Sequence, residues 1–219
     1  MTAPARAYDL VIFDCDGVLV DSEEISNRVL AEHLTAIGVP TTTQESMDRY
    51  MGGSLAKVLA DVEARLGHAA PADFLADYRT ASYAAFATEL AAVEGVEAAL
   101  DALGDVPTCV ASSGEHDKLR RTLGQTGLLA RFEGRIFSAY DVARGKPAPD
   151  LFLHAAASVG ADPAWCAVVE DSPVGVEAAL AAGMAVFGFA GRTPRARLAR
   201  PGVRVFARMD ELPRLLKAR

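Results

Sequence analysis

From Leu10 to Phe13 the chain is apolar at every position, the pattern of a strand buried on both faces. The run stops at Asp14, with Asp16 and Gly17 close behind. From residue 21 to residue 93 the periodicity turns helical. Asp21 and Glu24 have the spacing of a capping box, and Ile25, Val29, Leu30, Leu34 and Ile37 follow at helical intervals until Gly38 and Pro40 end the pattern. Ser54 is placed to cap a second helix carrying Leu55, Val58, Leu59, Val62 and Leu66, and Phe74, Leu75, Tyr78, Phe86 and Leu90 predict a third. After Gly95 the rhythm changes again. Short β-prone runs appear at 106–112, 135–137, 166–170, 185–189 and 203–206, separated by helical stretches such as HDKLRRTLGQTG and SPVGVEAALAAG.

Strands alternating with helices predict right-handed βαβ units and a parallel sheet. The first strand, at 9–14, belongs to that sheet, so the helical block is an insertion after it. The expected fold class is α/β. A Rossmann-like, doubly wound parallel sheet forms a core domain from residues 1–20 and 94–219, and residues 21–93 form an all-helical cap over it.

In open α/β sheets, ligands bind outside the carboxyl ends of the strands. Asp14 and Asp16 lie at one such end, where Gly17 lets the chain turn sharply. Ser112, Ser113 and Gly114 follow a second strand, Lys146 lies in the loop ARGKPAPD, and Glu170 and Asp171 end another strand. Four carboxylates on one rim repel each other in a partly buried site. A hard divalent cation relieves that, and Mg²⁺ takes one or two protein carboxylates together with waters and a substrate phosphate. Each residue also has an ordinary use: Asp14 and Asp16 as turn acids, Asp171 or Ser172 as a helix cap, Ser112 as a cap, Lys146 as a solvated lysine. Pro147 and Pro149 stiffen the loop around Lys146, which suits a lysine whose position matters. An EF-hand is excluded, because the glycine comes fourth from Asp14 and Ile25 stands where the closing glutamate belongs. No GxSxG elbow, GxG fingerprint or Walker A sequence occurs.

Composition narrows the partners. The 219 residues suffice for a core domain plus a smaller one, and half of them are hydrophobic. A formal charge of −7 argues against nucleic acid and against an anionic membrane surface, while local cations still allow an anionic substrate. No apolar run approaches the roughly 20 residues that span a bilayer, and the N-terminus lacks a signal-type apolar region. Cys15, Cys109 and Cys166 form no CxxC and read as buried reduced thiols of a cytoplasmic protein. No exposed apolar stripe asks for a partner, so a monomer is expected.

The stretches DCDGVLVDSE, ASSG, GKPAPD and VVEDSPVGVEAALAAGM resemble, in order, the four motifs of the haloacid dehalogenase superfamily, in the branch with a small helical cap after the first strand. The resemblance implies a Mg²⁺-dependent phosphatase of small phosphorylated metabolites. Asp14 would be the nucleophile that becomes an aspartyl phosphate, and Asp16 the general acid and then base. Ser112, with Ser113 and Gly114, would bind the phosphoryl oxygens, and Lys146 would neutralise charge on Asp14 and the phosphate. Asp171, Asp14 and the backbone carbonyl of Asp16 would bind Mg²⁺, with Glu170 as a direct or an indirect ligand. Asp16 also separates the chain from the metal-free dehalogenases. A phosphomutase of the beta-phosphoglucomutase type is the enzymatic alternative. Ser26, Met51 and Leu55, however, stand where such mutases carry a histidine, a lysine and an arginine, with Lys57 near by. A non-catalytic sugar-phosphate sensor is the remaining alternative. The stretches around Lys146 and at the C-terminus resemble bacterial phosphatases of sugar and sugar-acid phosphates. Glu23, Ser26, Asn27, Arg49, Tyr50 and Lys57 are the cap residues that are candidates to face the site.

Overall fold

All six apolar runs become strands in the computed structural model, which describes residues 7–51 and 55–217. They are β1 (Leu10–Phe13), β2 (Thr108–Ser112), β3 (Ile136–Ser138), β4 (Cys166–Glu170), β5 (Ala185–Phe189) and β6 (Val203–Phe206). Every pairing is parallel, and the order across the sheet is β3-β2-β1-β4-β5-β6. The helices of the described residues are α1 (Glu23–Ala36), α2 (Thr43–Tyr50), α3 (Leu55–Leu66), α4 (Phe74–Glu89), α5 (Val96–Leu103), α6 (His116–Gln125), α7 (Leu129–Phe132), α8 (Asp150–Val159), α9 (Pro173–Ala181), α10 (Arg195–Leu198) and α11 (Leu212–Leu215).

The unbroken apolar run of β1 has a direct cause. Leu10 and Ile12 pack with Leu151, Phe152, Ala155 and Val176 of α8 and α9 on one side of the sheet. On the other side Phe13 meets Phe132 of α7, ring centroids 6.3 Å apart. Both faces are covered by helices, so neither tolerates a polar side chain. The chain winds from β1 outward to β2 and β3, then returns to the other side of β1 as β4. Strand order therefore reverses beside β1, and the crevice at the carboxyl ends of β1 and β4 is the topological switch point.

Contacts divide the chain into two units, one made of residues up to Val20 and from Ala92 onward, the other of Asp21–Ala91. The second unit is α1 to α4 around Leu30, Leu34, Val39, Tyr50, Val58, Val62 and Phe74. Helix α1 starts at Glu23 behind Ser22, whose side chain makes no cap bond. A capping box forms at Thr42–Glu45, with Thr42 Oγ1 accepting from Glu45 N at 3.2 Å and Glu45 Oε2 accepting from Thr42 N at 2.8 Å. It opens α2, a helix the apolar pattern did not predict because only Ser46 and Tyr50 of its eight residues are buried. The cap expected of Ser54 lies outside the described residues.

Two of the candidates to face the site are buried. Asn27 is buried, donating to Glu23 O at 2.8 Å and accepting from Ser46 Oγ at 2.8 Å, which ties α1 to α2. Tyr50 is buried and donates to Asp61 of α3. Both satisfy interior polar groups, whereas Arg49 and Lys57 are exposed. Among the described residues no helix is long and apolar enough to cross a membrane.

Candidate active site

The parallel register brings the predicted residues to one edge. Phe13 pairs with Val169 and with Val110, and Asp14 N donates to Val169 O at 3.0 Å. Beyond these pairs Asp14 leaves β1 between the ends of β2 and β4, flanked by Ala111 and Ser112 on one side and by Glu170 and Asp171 on the other. Lys146 reaches this point from the loop between β3 and α8. Its Nζ donates to Asp14 Oδ1 and Glu170 Oε1, both at 2.6 Å, and to Ala111 O at 3.0 Å. One ammonium thus uses three donors on three adjacent strand ends. The Lys146 and Glu170 side chains are 2% and 1% exposed, so this is a desolvated ion pair and not a surface one. The Phe152 ring lies 4.9 Å from the ammonium and adds a cation–π contact.

Electrostatics follow from the burial. The Asp14 carboxyl is raised to about 7: removal from water pushes it up most, Lys146 pulls it down, and Glu170 and Asp16 add to the rise. Burial acts to lower Lys146, but the Asp14 and Glu170 carboxylates outweigh it and hold the ammonium above its usual range. The three cysteines are buried and unpaired with one another. Burial raises Cys15 and Cys109 well above the usual thiol range and Cys166 to about 11, which leaves no thiolate for nucleophilic work at neutral pH.

Glu170 is held from its other side as well. Ser172 N and Oγ donate to Glu170 Oε2 at 2.8 and 2.9 Å. Ser172 Oγ in turn accepts from Gly175 N at 3.1 Å, so Ser172 is the cap of α9 and Asp171 is released from that duty. Asp171 is buried, and its carboxylate lies against Gly17: a methyl group built on Gly17 would collide with it. Gly17 has φ 76°, a left-handed conformation that glycine adopts without strain, so one residue supplies both the turn and the room. Ser112 is buried at the end of β2, its Oγ accepting from Gly114 N at 3.3 Å. Gly114 O accepts from Ser138 Oγ at 2.6 Å, which anchors the turn containing Ser113 to β3.

These contacts divide the four expected carboxylates among different partners. Among the described residues no group of three or more His, Cys, Asp or Glu side chains is arranged to hold a metal. Charge balance on the sequence counted one ammonium, and among the described residues Lys118 adds another. Asp16 Oδ2 accepts from Lys118 Nζ of α6 at 2.7 Å, and both Glu170 oxygens are engaged by Lys146 and Ser172. The residues that could hold a cation are Asp14, Asp171 beside the Asp14–Gly17 turn, and backbone carbonyls of that turn. Two carboxylates with oxygen-only partners fit a hard ion that keeps several waters, such as Mg²⁺.

A family model of haloacid dehalogenase-like hydrolases matches residues 8–183. The chain belongs to that family. Its relatives include 6-phosphogluconate phosphatase of Escherichia coli (strain K12), 34% identical over 212 residues and 96% of each chain. Fructose-1-phosphate phosphatase YqaB of the same organism is 31% identical over 180 residues, covering 81% of this chain and 94% of the relative. Among solved structures, the conserved haloacid dehalogenase-like protein of unknown function ATU0790 from Agrobacterium tumefaciens str. C58 has a TM-score of 0.85 at 37% identity, covering 96% of this chain and 98% of the other.

Within this haloacid dehalogenase-like framework Gly175 holds a place that motif reading passed over. A methyl group there would overlap the Glu170 carboxyl, so the first turn of α9 must present bare backbone for Glu170 to reach Lys146. Gly175→Ala is expected to displace Glu170 and with it Lys146. Overpacking of this kind costs about 1–3 kcal/mol, and misplacement near the site costs on the order of 10²-fold in kcat. Thermal unfolding and turnover of p-nitrophenyl phosphate measure the two effects.

Proposed function

We propose that the chain is a phosphatase of small phosphorylated metabolites, of the sugar or sugar-acid phosphate class, working through a phosphoryl group carried on Asp14. The observation that carries this reading is the buried Lys146 ammonium clamped between Asp14 and Glu170 at the switch point of the sheet. With Oδ1 held by Lys146, Asp14 Oδ2 is the oxygen left to attack phosphorus. Its new O–P bond forms as the ester O–P bond breaks, and Asp16 gives its proton to the departing oxygen. Asp16 then takes a proton from water, which attacks the phosphoryl group, frees inorganic phosphate and restores Asp14.

The Ser112 hydroxyl oxygen accepts from Gly114 N, which leaves its hydrogen to donate to a phosphoryl oxygen, with Ser113 and Gly114 forming the wall of the turn. Lys146 balances the charge that spreads over the equatorial oxygens. Asp14, Asp171 and the backbone carbonyl of Asp16 would hold Mg²⁺, with Glu170 acting indirectly through Lys146. Bound there, the ion supplies further neutralisation of phosphate charge. The substrate class rests on the two sugar-phosphate phosphatases among the relatives.

Phosphate release from a panel of sugar and sugar-acid phosphates tests the reading. Release is expected, with loss on adding EDTA and recovery on adding excess Mg²⁺. No release from any ester with Mg²⁺ present would reject hydrolysis. An isomerised sugar phosphate formed without free phosphate would replace it with a mutase.

A further inference from the structure

Lys118 is a residue that none of the four motifs includes. It sits in the first turn of α6, where the positive end of the helix dipole opposes a cation. A lysine there is unfavourable unless an anion compensates it, and its side chain reaches Asp16 Oδ2 at 2.7 Å, an ion pair with both side chains largely covered. The helix beneath it is firmly seated: Leu119, Thr122 and Leu123 are fully buried, and Thr122 Oγ1 donates to Lys118 O at 3.0 Å. Thr122 also stands 4.0 Å from Cys15 Sγ, the residue between the two aspartates. The Lys118 backbone is therefore fixed against the Asp14–Asp16 turn.

Asp16 itself has reason to move. Asp14 lies in its field, and further carboxylates stand beside them. Like charges drive such a group to turn away unless something holds it.

We propose that Lys118 is a positioning residue whose ammonium holds Asp16 in the one rotamer that presents its other oxygen to the leaving group. The proposal rests on the phosphatase reading above and adds a determinant of proton delivery within it. The consequence is specific. Phosphoryl transfer from p-nitrophenyl phosphate expels a stable phenolate and needs little protonation, whereas a sugar phosphate expels an alkoxide that needs it. Asp16 held out of place should therefore harm the two esters unequally.

The experiment compares kcat/KM, which reports the steps up to alcohol release, for p-nitrophenyl phosphate and for the best sugar phosphate of the panel. Lys118→Met is expected to lower the sugar phosphate value by on the order of 10²-fold while changing the aryl value far less. Lys118→Arg is expected to recover most of the loss, and Asp16→Asn to show the same selectivity as Lys118→Met. Equal losses on both esters, or no loss on either, overturns the proposal, because a structural or substrate-binding lysine does not sort esters by leaving group. Should Lys118→Met fail to fold, Lys118→Gln compared on the same two esters decides. Failure of the phosphatase reading looks different: the wild-type protein would then release phosphate from neither ester.

Discussion

Asp14→Asn is expected to reduce phosphate release from every substrate by on the order of 10⁴-fold or more, the scale of removing a member of a catalytic unit. The amide keeps the shape of the carboxylate and its place between Lys146 and the β4 end, so the loss tests chemistry and not folding. The fold should tolerate the change for an electrostatic reason. A carboxyl raised from 3.8 to about 7 by burial contributes stability fully only while protonated, below its ordinary value. That contribution is lost as pH rises through about 7, so near and above that pH the ionised group is a burden that a neutral amide relieves. Lys146 retains Glu170 and Ala111 O as acceptors. Thermal unfolding near pH 7.5 should accordingly place the variant at or above the wild-type midpoint. Wild-type turnover by Asp14→Asn would end the nucleophile assignment.

Lys146→Met has the other large expected effect, and here stability and activity fall together. Removing the ammonium leaves Asp14 and Glu170 facing each other in a site from which water is excluded. Breaking a buried pair by deleting one partner costs about 3–5 kcal/mol. Without Lys146, burial and Glu170 drive the Asp14 carboxyl further up, so less of it is ionised to attack. The two losses can be separated. In the double variant Lys146→Met with Glu170→Gln one carboxylate is gone, and the unfolding midpoint should recover most of the way. Turnover should not recover, because the ammonium that touches Asp14 and balances the transferring phosphate there is still missing. Recovery of activity along with stability would show that Lys146 is only a structural counter-ion.

Much of the core unit was legible in the chain. Continuous apolar runs specify strands covered on both faces, and the local spacing of Asp14, Asp16 and Gly17, or of Glu170, Asp171 and Ser172, is written in adjacent residues. The helical unit was less so. Helix α2 has two buried residues and so almost no apolar periodicity, and its Thr42–Glu45 box was the available signal. Asn27 and Tyr50 were candidates to face the site because a sequence does not say whether a polar group has an interior partner; Ser46 and Asp61 supply those partners from other helices.

The sequence by itself determined the strands, their order of appearance and the identity of the acids, hydroxyls and lysine that end them, because strand burial and turn geometry are properties of neighbouring residues. Only the tertiary structure decided how those charges are shared. Lys146 crosses from beyond β3 to join β1, β2 and β4, and Lys118 comes from α6 to take Asp16. Ion pairing depends on separation in space, and residues more than a hundred positions apart in the chain meet only once parallel strands align their ends.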